Sequence, residues 1–168
     1  MADSVFSGIN HIGIVTRDIE RAIRVWADKY GVRPWSVYTY DRSNMSVKVE
    51  GESTEFSMRV GLCHVGPNTR IEIIQPLDER SPYALSLAEN GDVDHIHHVR
   101  LDIADYNDAV EHLEGLELRK ILDGRFKGGE GRSSTAIYFA TENDLGFTVE
   151  VADRPAVYPM QEPDYVYP

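Results

Sequence analysis

The sequence predicts an α+β fold of two pseudo-symmetric βαβββ modules, because two stretches of the chain follow one pattern without a gap. The first stretch begins at Ile9 and the second at Ile96. The aligned pairs are Ile9 with Ile96, His11 with His98, Asp18 with Asp105, Ala22 with Ala109, and the apolar residues Ile12, Ile14 and Ile23 with Val99, Leu101 and Val110. A histidine at the same point of both copies indicates a site shared between the halves.

Each copy reads as a strand followed by a helix. Residues 9–15 are rich in Ile and Val and predict a strand. Asp18 can then accept hydrogen bonds from the free amides of a first helical turn, and apolar residues recur at helical spacing until Gly31. The second copy repeats this order, with a strand over 97–103 and a helix capped by Asp105.

Three further strands are expected after each helix, which completes a βαβββ unit in each half. They are predicted at 36–40, 57–63 and 70–74 in the first half, and at 117–122, 134–140 and 148–151 in the second. Turn-rich stretches separate them at 41–54, 64–69 and 123–132.

These elements predict a single domain over residues 1–155. Its expected parts are module one at about 8–76, a connector at 77–94 and module two at about 95–153. Within the connector, the stretch from Ser81 to Leu87 predicts a short helix with Pro82 in its first turn. Residues 156–168 predict an irregular tail that drapes over the fold, because aromatic residues are scarce in disordered tails.

The composition is that of a globular protein, with 42% hydrophobic and 27% charged residues in a chain of 168. A net charge of -11 opposes nucleic acid and anionic membranes as partners. No apolar run approaches the roughly 18 residues of a membrane helix, and no secretory signal is visible. The single cysteine, Cys63, suits a reducing compartment, so we predict a cytoplasmic protein.

The repeated histidines are predicted to lie on the strand face that the helix does not cover. Alternation places His11 and Gly13 on that face of the first strand, and it places His98 and Arg100 on the matching face of the second. His97 is the rival of His98, but the ungapped repeat selects His98.

A second repeat links the last strands of the two halves. Each carries one acid among β-branched neighbours, Glu72 in the first and Glu150 in the second, where an unpaired carboxylate would be costly to bury. Together with His11 and His98 they form a four-ligand set for a divalent ion such as Zn, Ni, Co, Mn or Fe. The alternatives are purely structural histidines and glutamates that protect a sheet edge.

With these motifs the chain resembles the vicinal oxygen chelate superfamily, which includes glyoxalase I, methylmalonyl-CoA epimerase, extradiol dioxygenases and bleomycin-resistance proteins. The motifs are His11-Ile-Gly-Ile-Val, Ile71-Glu-Ile-Ile-Gln-Pro, His97-His-Val, and Tyr138-Phe through Gly146 to Val149-Glu-Val. The resemblance implies that the modules form a half-open barrel around a metal held by His11, Glu72, His98 and Glu150. The stretch from Gln75 to His98 most resembles the methylmalonyl-CoA epimerase branch, and many relatives are homodimers.

The resemblance also implies chemistry alpha to a carbonyl. In this superfamily a metal binds two adjacent substrate oxygens and stabilises an enolate, so we expect a divalent-metal-dependent epimerase, isomerase or lyase acting on a small molecule. Glu150 is the candidate for a ligand that doubles as the base, with Glu72 as the other catalytic carboxylate. The epimerase branch has a further acid in the first module, for which Glu50, Glu52 and Glu55 are candidates.

Three residues are candidates for substrate contacts. Tyr38 and Tyr40 share one strand face that superfamily geometry would turn toward the cavity, and Arg100 shares the face of His98, where it could bind an anion. The tyrosines could equally be a packed aromatic pair, and Arg100 could bridge Asp102.

Two alternative functions are less consistent with the predicted ligand set. An extradiol dioxygenase uses two His and one Glu on Fe(II), and a fourth ligand at Glu72 would leave too few open positions for oxygen and a catechol. A binding protein of the bleomycin-resistance kind lacks the metal set, so four intact candidate ligands argue against it.

Overall fold

The computed structural model describes residues 4–153 and 161–168. Its strands are β1 (Phe6–Val15), β2 (Trp35–Tyr40), β3 (Met45–Val49), β4 (Glu52–Thr54), β5 (Met58–His64), β6 (Arg70–Pro76), β7 (His95–Ile103), β8 (Lys120–Lys127), β9 (Ser133–Phe139), β10 (Thr148–Asp153) and β11 (Tyr165–Tyr167). Its helices are α1 (Ile19–Arg24), continued by a π-helical stretch over Val25–Lys29, α2 (Pro82–Glu89), α3 (Tyr106–Gly115) and α4 (Glu142–Leu145), with a 3-10 turn at Gly129–Gly131. None of the helices in these described ranges is long and apolar enough to cross a membrane.

The strands form one open sheet in the order β11-β2-β5-β6-β1-β7-β10-β9-β8-β3-β4. At its centre the first strands of the two modules, β1 and β7, pair antiparallel. On one side β6 runs parallel to β1, and on the other β10 runs parallel to β7. The two halves thus repeat one strand arrangement on either side of the central pair. This arrangement confirms the predicted fold class, two βαβββ modules in a sheet that does not close.

Both long module helices begin at the predicted aspartates. The Asp18 carboxylate accepts a hydrogen bond from the Arg21 amide at 3.0 Å, and Asp105 caps α3 by accepting from the second and third amides of that helix. The apolar face of β1, formed by Ile12 and Ile14, packs beneath α1 as predicted. The opposite face of the sheet is therefore left for the histidines.

The stretch 41–54 is not a loop, contrary to the sequence prediction. It contains the hairpin β3–β4, which turns through Glu50 and Gly51 with positive φ angles of 51° and 86°. Met45 and Val47 are buried between exposed neighbours, and β3 pairs with β8 of the second module. Local sequence did not predict this hairpin, because the strand on which it depends lies in the other half of the chain.

Two further segments differ from their predicted extents. Strand β8 was expected at 117–122 but runs over Lys120–Lys127, through Gly124 and into a stretch predicted as turns. In the tail, Tyr165–Tyr167 forms β11 on the edge of β2, and both of its tyrosines pack against the cluster beneath α1. The predicted draping is thus observed for this part, although it is regular rather than irregular, and residues 154–160 lie outside the described ranges.

Helix α2 covers the concave face of the sheet. Tyr83 and Leu87 are 1% and 0% exposed and belong to a core that joins β5 and β6 of module one to β9 and β10 of module two. The predicted connector helix is confirmed, with Ser81 as its cap and Pro82 in its first turn. This core surrounds the site described next.

Candidate metal centre

The pairing of four central strands brings the repeated histidines and glutamates to one place. Gly13 of β1 lies opposite Glu72 of β6 on one side and opposite His98 of β7 on the other. His11 lies opposite Arg100 of β7, which in turn lies opposite Glu150 of β10. Because paired residues of neighbouring strands point to the same face, all four predicted ligand side chains project from the concave face.

The two imidazoles lie within hydrogen-bond distance of each other and of both carboxylates. The Nε2 atoms of His11 and His98 are 3.1 Å apart. Oε2 of Glu150 lies 2.9 Å from Nε2 of His11 and 3.3 Å from Nε2 of His98, and Oε2 of Glu72 lies 3.4 Å and 3.2 Å from the same two atoms. All four side chains are buried, and their ligand atoms lie within 4.8 Å of each other. The sequence prediction that they converge therefore agrees with the geometry.

A glycine in β1 makes room for one of these rings. A Cβ at Gly13 would lie 2.0 Å from Cε1 and 2.3 Å from Nε2 of His98, which no side chain can do. The His98 imidazole thus lies directly over the backbone of the neighbouring strand.

The donor set fits a divalent ion. Bonds of about 2.0–2.1 Å to one ion place adjacent donor atoms about 3 Å apart, close to the five distances given above between these nitrogen and oxygen atoms. Two carboxylates buried this close would otherwise repel each other, and a divalent cation would offset both charges. Nitrogen and oxygen donors without a thiolate suit Zn, Ni, Co, Mn or Fe.

Burial disfavours the charged form of all four groups, and attraction between unlike charges outweighs burial at Glu72, Glu150 and His98 but not at His11. At both glutamates His11 and His98 outweigh burial, so the pKa of Glu72 falls to about 2 and that of Glu150 falls well below its ordinary value. Against burial, the two carboxylates raise the pKa of His98 to about 9, whereas burial prevails at His11 and lowers its pKa. Both glutamates are thus ionised at neutral pH and offer anionic oxygens.

A small cavity of about 30 Å³ opens beside the two glutamates. Its wall combines aromatic, aliphatic and hydroxyl side chains. These are Tyr40, Met58, Val60, Ile74, Tyr83, Phe126, Ser134 and Tyr138, together with Glu72 and Glu150.

Comparison with known sequences decides the family. Residues 10–139 match the Glyoxalase/Bleomycin resistance protein/Dioxygenase superfamily. The chain belongs to this superfamily. It is also similar to the mitochondrial methylmalonyl-CoA epimerase of Dictyostelium discoideum, with 28% identity over 147 residues that cover 87% of this chain and 78% of that protein.

Solved structures share the superfamily fold. Methylmalonyl-CoA epimerase from Mycobacterium tuberculosis superimposes with a TM-score of 0.66 at 22% identity, covering 92% of this chain and 93% of that one. A variant of the Streptomyces coelicolor methylmalonyl-CoA epimerase, in complex with 2-nitronate-propionyl-CoA, gives 0.66 at 19% identity, covering 90% and 97%. At these identities the likeness shows the fold alone.

The three residues expected to contact substrate do not share one cavity. Tyr40 lines the cavity beside the glutamates, with its ring 5.4 Å from that of Phe126. Tyr38 is buried in the adjoining core. Arg100 instead lines a separate cleft of about 340 Å³ that also contains Asp102, and its Nη2 lies 3.4 Å from the Ala152 carbonyl oxygen.

The candidate further acids of the first module lie on the surface. Glu50, Glu52 and Glu55 are all exposed, on or directly after the β3–β4 hairpin, and Glu50 forms an ion pair with Arg119. The cavity lining contains Glu72 and Glu150 as its acids within the described residues.

Sequence reasoning missed Tyr138 and Tyr83 near the site, and it considered His97 only as the rival of His98. Tyr138 lies opposite Glu150 in the β9–β10 pairing, and its ring is 4.9 Å from that of His98. Tyr83 reaches the cavity from α2. His97 places its Nδ1 3.2 Å from Nδ1 of His98, and burial lowers the pKa of His97 to about 3, so it is neutral. Strand register would have identified Tyr138, whereas no signal in the connector marked Tyr83.

Proposed function

We propose that this superfamily member is a divalent-metal-dependent epimerase, or a related isomerase or lyase, that removes a proton alpha to a carbonyl. The observation that carries the proposal is the convergence of two imidazoles and two carboxylates within 4.8 Å in a buried site. His11, Glu72, His98 and Glu150 would hold the ion. When bound, the ion would supply positive charge that stabilises an enolate.

The names of the relatives support the hypothesis of an epimerase. The Dictyostelium protein and both solved structures described above are named methylmalonyl-CoA epimerases. We therefore take an acyl-CoA with an acidic alpha proton as the first substrate to test, and a small molecule with adjacent oxygens as its general class.

Glu150 is proposed as the base. Its carboxylate is ionised and 1% exposed, so water does not compete for it, and it borders the cavity in which a substrate carbon would lie. Glu72 borders the same cavity from the opposite module and is proposed as the second catalytic carboxylate.

Metal content is the first test. Protein purified without a histidine tag should hold about one divalent ion per chain, and the double variant His98→Ala with Glu150→Ala should hold none. His64→Ala, an exposed histidine outside the cluster, is the matched control and should retain the ion. If the wild type binds no Zn, Ni, Co, Mn or Fe after reconstitution, the proposal of a metal-dependent function is wrong. A non-catalytic binding protein then becomes the better hypothesis.

Isotope exchange is the second test. Incubation of methylmalonyl-CoA with the loaded enzyme in D₂O should place one deuterium at the alpha carbon, detected by mass spectrometry. Exchange should disappear in Glu150→Gln while the metal is largely retained. Oxygen consumption with a catechol in place of exchange would indicate the dioxygenase alternative.

Cytoplasmic location and homodimer assembly stay predictions from the sequence.

A further inference from the structure

We propose that the hydroxyl groups of Tyr83 and Tyr138 form a paired hydrogen-bond donor that holds a substrate oxygen in the cavity. This inference rests on the proposed function and extends it, because it adds neutral hydroxyl donors to the positive charge that the ion would supply. Neither tyrosine was among the residues expected from the sequence.

The pair stands beside the carboxylates. Tyr83 reaches the cavity from α2 and Tyr138 from β9, and their rings meet edge to face with centroids 6.3 Å apart. Their hydroxyls are hydrogen-bonded to each other, and both interact electrostatically with Glu72 and Glu150. The two side chains are 1% and 4% exposed. The pair thus links α2, which covers the cavity, to β9, in which Tyr138 lies opposite Glu150 of β10.

The pair of hydroxyls has one proton available to a bound oxygen. Two hydroxyls carry two protons, and the bond between them uses one. The other belongs to the hydroxyl that accepts that bond, and it is available to an oxygen in the cavity. A tyrosine hydroxyl is protonated at neutral pH, so both residues are hydrogen-bond donors.

Among the other hydroxyls of the wall, that of Ser134 donates to the Asp153 carbonyl oxygen at 2.8 Å. The Tyr40 ring packs against that of Phe126. The described lining contains no Lys or Arg. An oxygen that accepts hydrogen bonds from neutral donors, such as that of a carbonyl or an enolate, is therefore the group that this wall suits.

Oxalate binding tests the pair, because oxalate carries adjacent oxygens and cannot react. Calorimetry would compare zinc-loaded wild type with Tyr83→Phe, Tyr138→Phe and the double variant, after the zinc content of each is measured. Loss of the hydroxyl that donates to the bound oxygen should weaken oxalate binding about tenfold, the effect of one hydrogen bond to a charged group, and loss of its partner, which orients that hydroxyl, should weaken it by a smaller factor. The double variant should lose little more than the more affected single variant, because the hydroxyls act as a unit.

Tyr165→Phe is the matched control, since it removes a tyrosine hydroxyl that bonds Glu20 at 2.7 Å on the outer face beside α1. It should bind oxalate as the wild type does. Equal affinity in the zinc-loaded wild type, Tyr83→Phe and Tyr138→Phe would overturn the inference and leave the metal centre intact. Absence of zinc from the wild type would instead contradict the proposed function. If Tyr83→Phe does not fold, Tyr138→Phe carries the same comparison.

Discussion

The imidazole of His98 rests on the backbone of Gly13, so closely that a Cβ at position 13 would fall 2.0 Å from its Cε1. This contact joins the two modules at their central strand pair. It also means that the position of one candidate ligand depends on the absence of a side chain in the other module.

Gly13→Ala is therefore expected to displace His98 and weaken metal binding by about 10- to 100-fold, the usual cost of disturbing the support of a ligand. Zinc affinity would be measured by competition with a chromophoric chelator. Gly8→Ala on the same strand is the control, because its Cβ would lie 3.5 Å from the nearest atom, an ordinary contact. Unchanged zinc affinity in Gly13→Ala would show that His98 does not hold the ion.

Metal removal should lower stability. An ion that binds only the folded chain, present at 100 times its dissociation constant, adds about 2.7 kcal/mol to the free energy of unfolding. For a domain of this size, that corresponds to a rise of about 5–11 °C in melting temperature. Calorimetric scans of chelator-treated protein with and without zinc would measure the difference. His98→Ala should show no such rise, and an equal rise in both proteins would place the ion elsewhere.

The repeat is what made the fold predictable. An ungapped alignment of Asp18 with Asp105 located both helix starts, and alternation around His11 and His98 located the face on which they meet. Both inferences needed only local periodicity and the duplication itself.

The rest depended on pairing between distant segments. Strand β3 is stabilised by β8, and the duplicated pattern contains no counterpart of its hairpin. Tyr83 and Tyr138 meet across the cavity only because α2 lies over β9, a packing relationship that spacing does not encode. The strand at Tyr165–Tyr167 likewise depends on the free edge of β2.

Helix α2 should contribute strongly to stability through one face. Leu87 is 0% exposed in the core over the concave face, whereas Leu85, on the same helix, is 49% exposed. Leu87→Ala should lower the free energy of unfolding by about 2–5 kcal/mol, and Leu85→Ala should change it by no more than about 0.5 kcal/mol. Urea denaturation of both variants would measure this. A similar loss of unfolding free energy in Leu87→Ala and Leu85→Ala would contradict this packing of α2.

The C-terminal strand should weaken in acid. Glu20 of α1 accepts hydrogen bonds from Nη2 of Arg59 and from the Tyr165 hydroxyl, both at 2.7 Å. These bonds, that of Arg59 foremost, hold the pKa of Glu20 below its ordinary value. A carboxyl whose pKa is lowered by folding stabilises the fold fully above its unfolded pKa of about 4.3, and this stabilisation is lost as the pH falls through the lower, folded pKa.

Glu20→Gln should therefore lower the melting temperature at pH 6–8, and the difference from wild type should shrink steadily below about pH 4. Because the group is partly exposed, the effect at neutral pH should not exceed about 1 kcal/mol. Glu111→Gln, an exposed carboxylate on α3, controls for the general loss of one negative charge. A difference that grows toward acid pH, or one that Glu111→Gln reproduces, would show that Glu20 does not anchor β11.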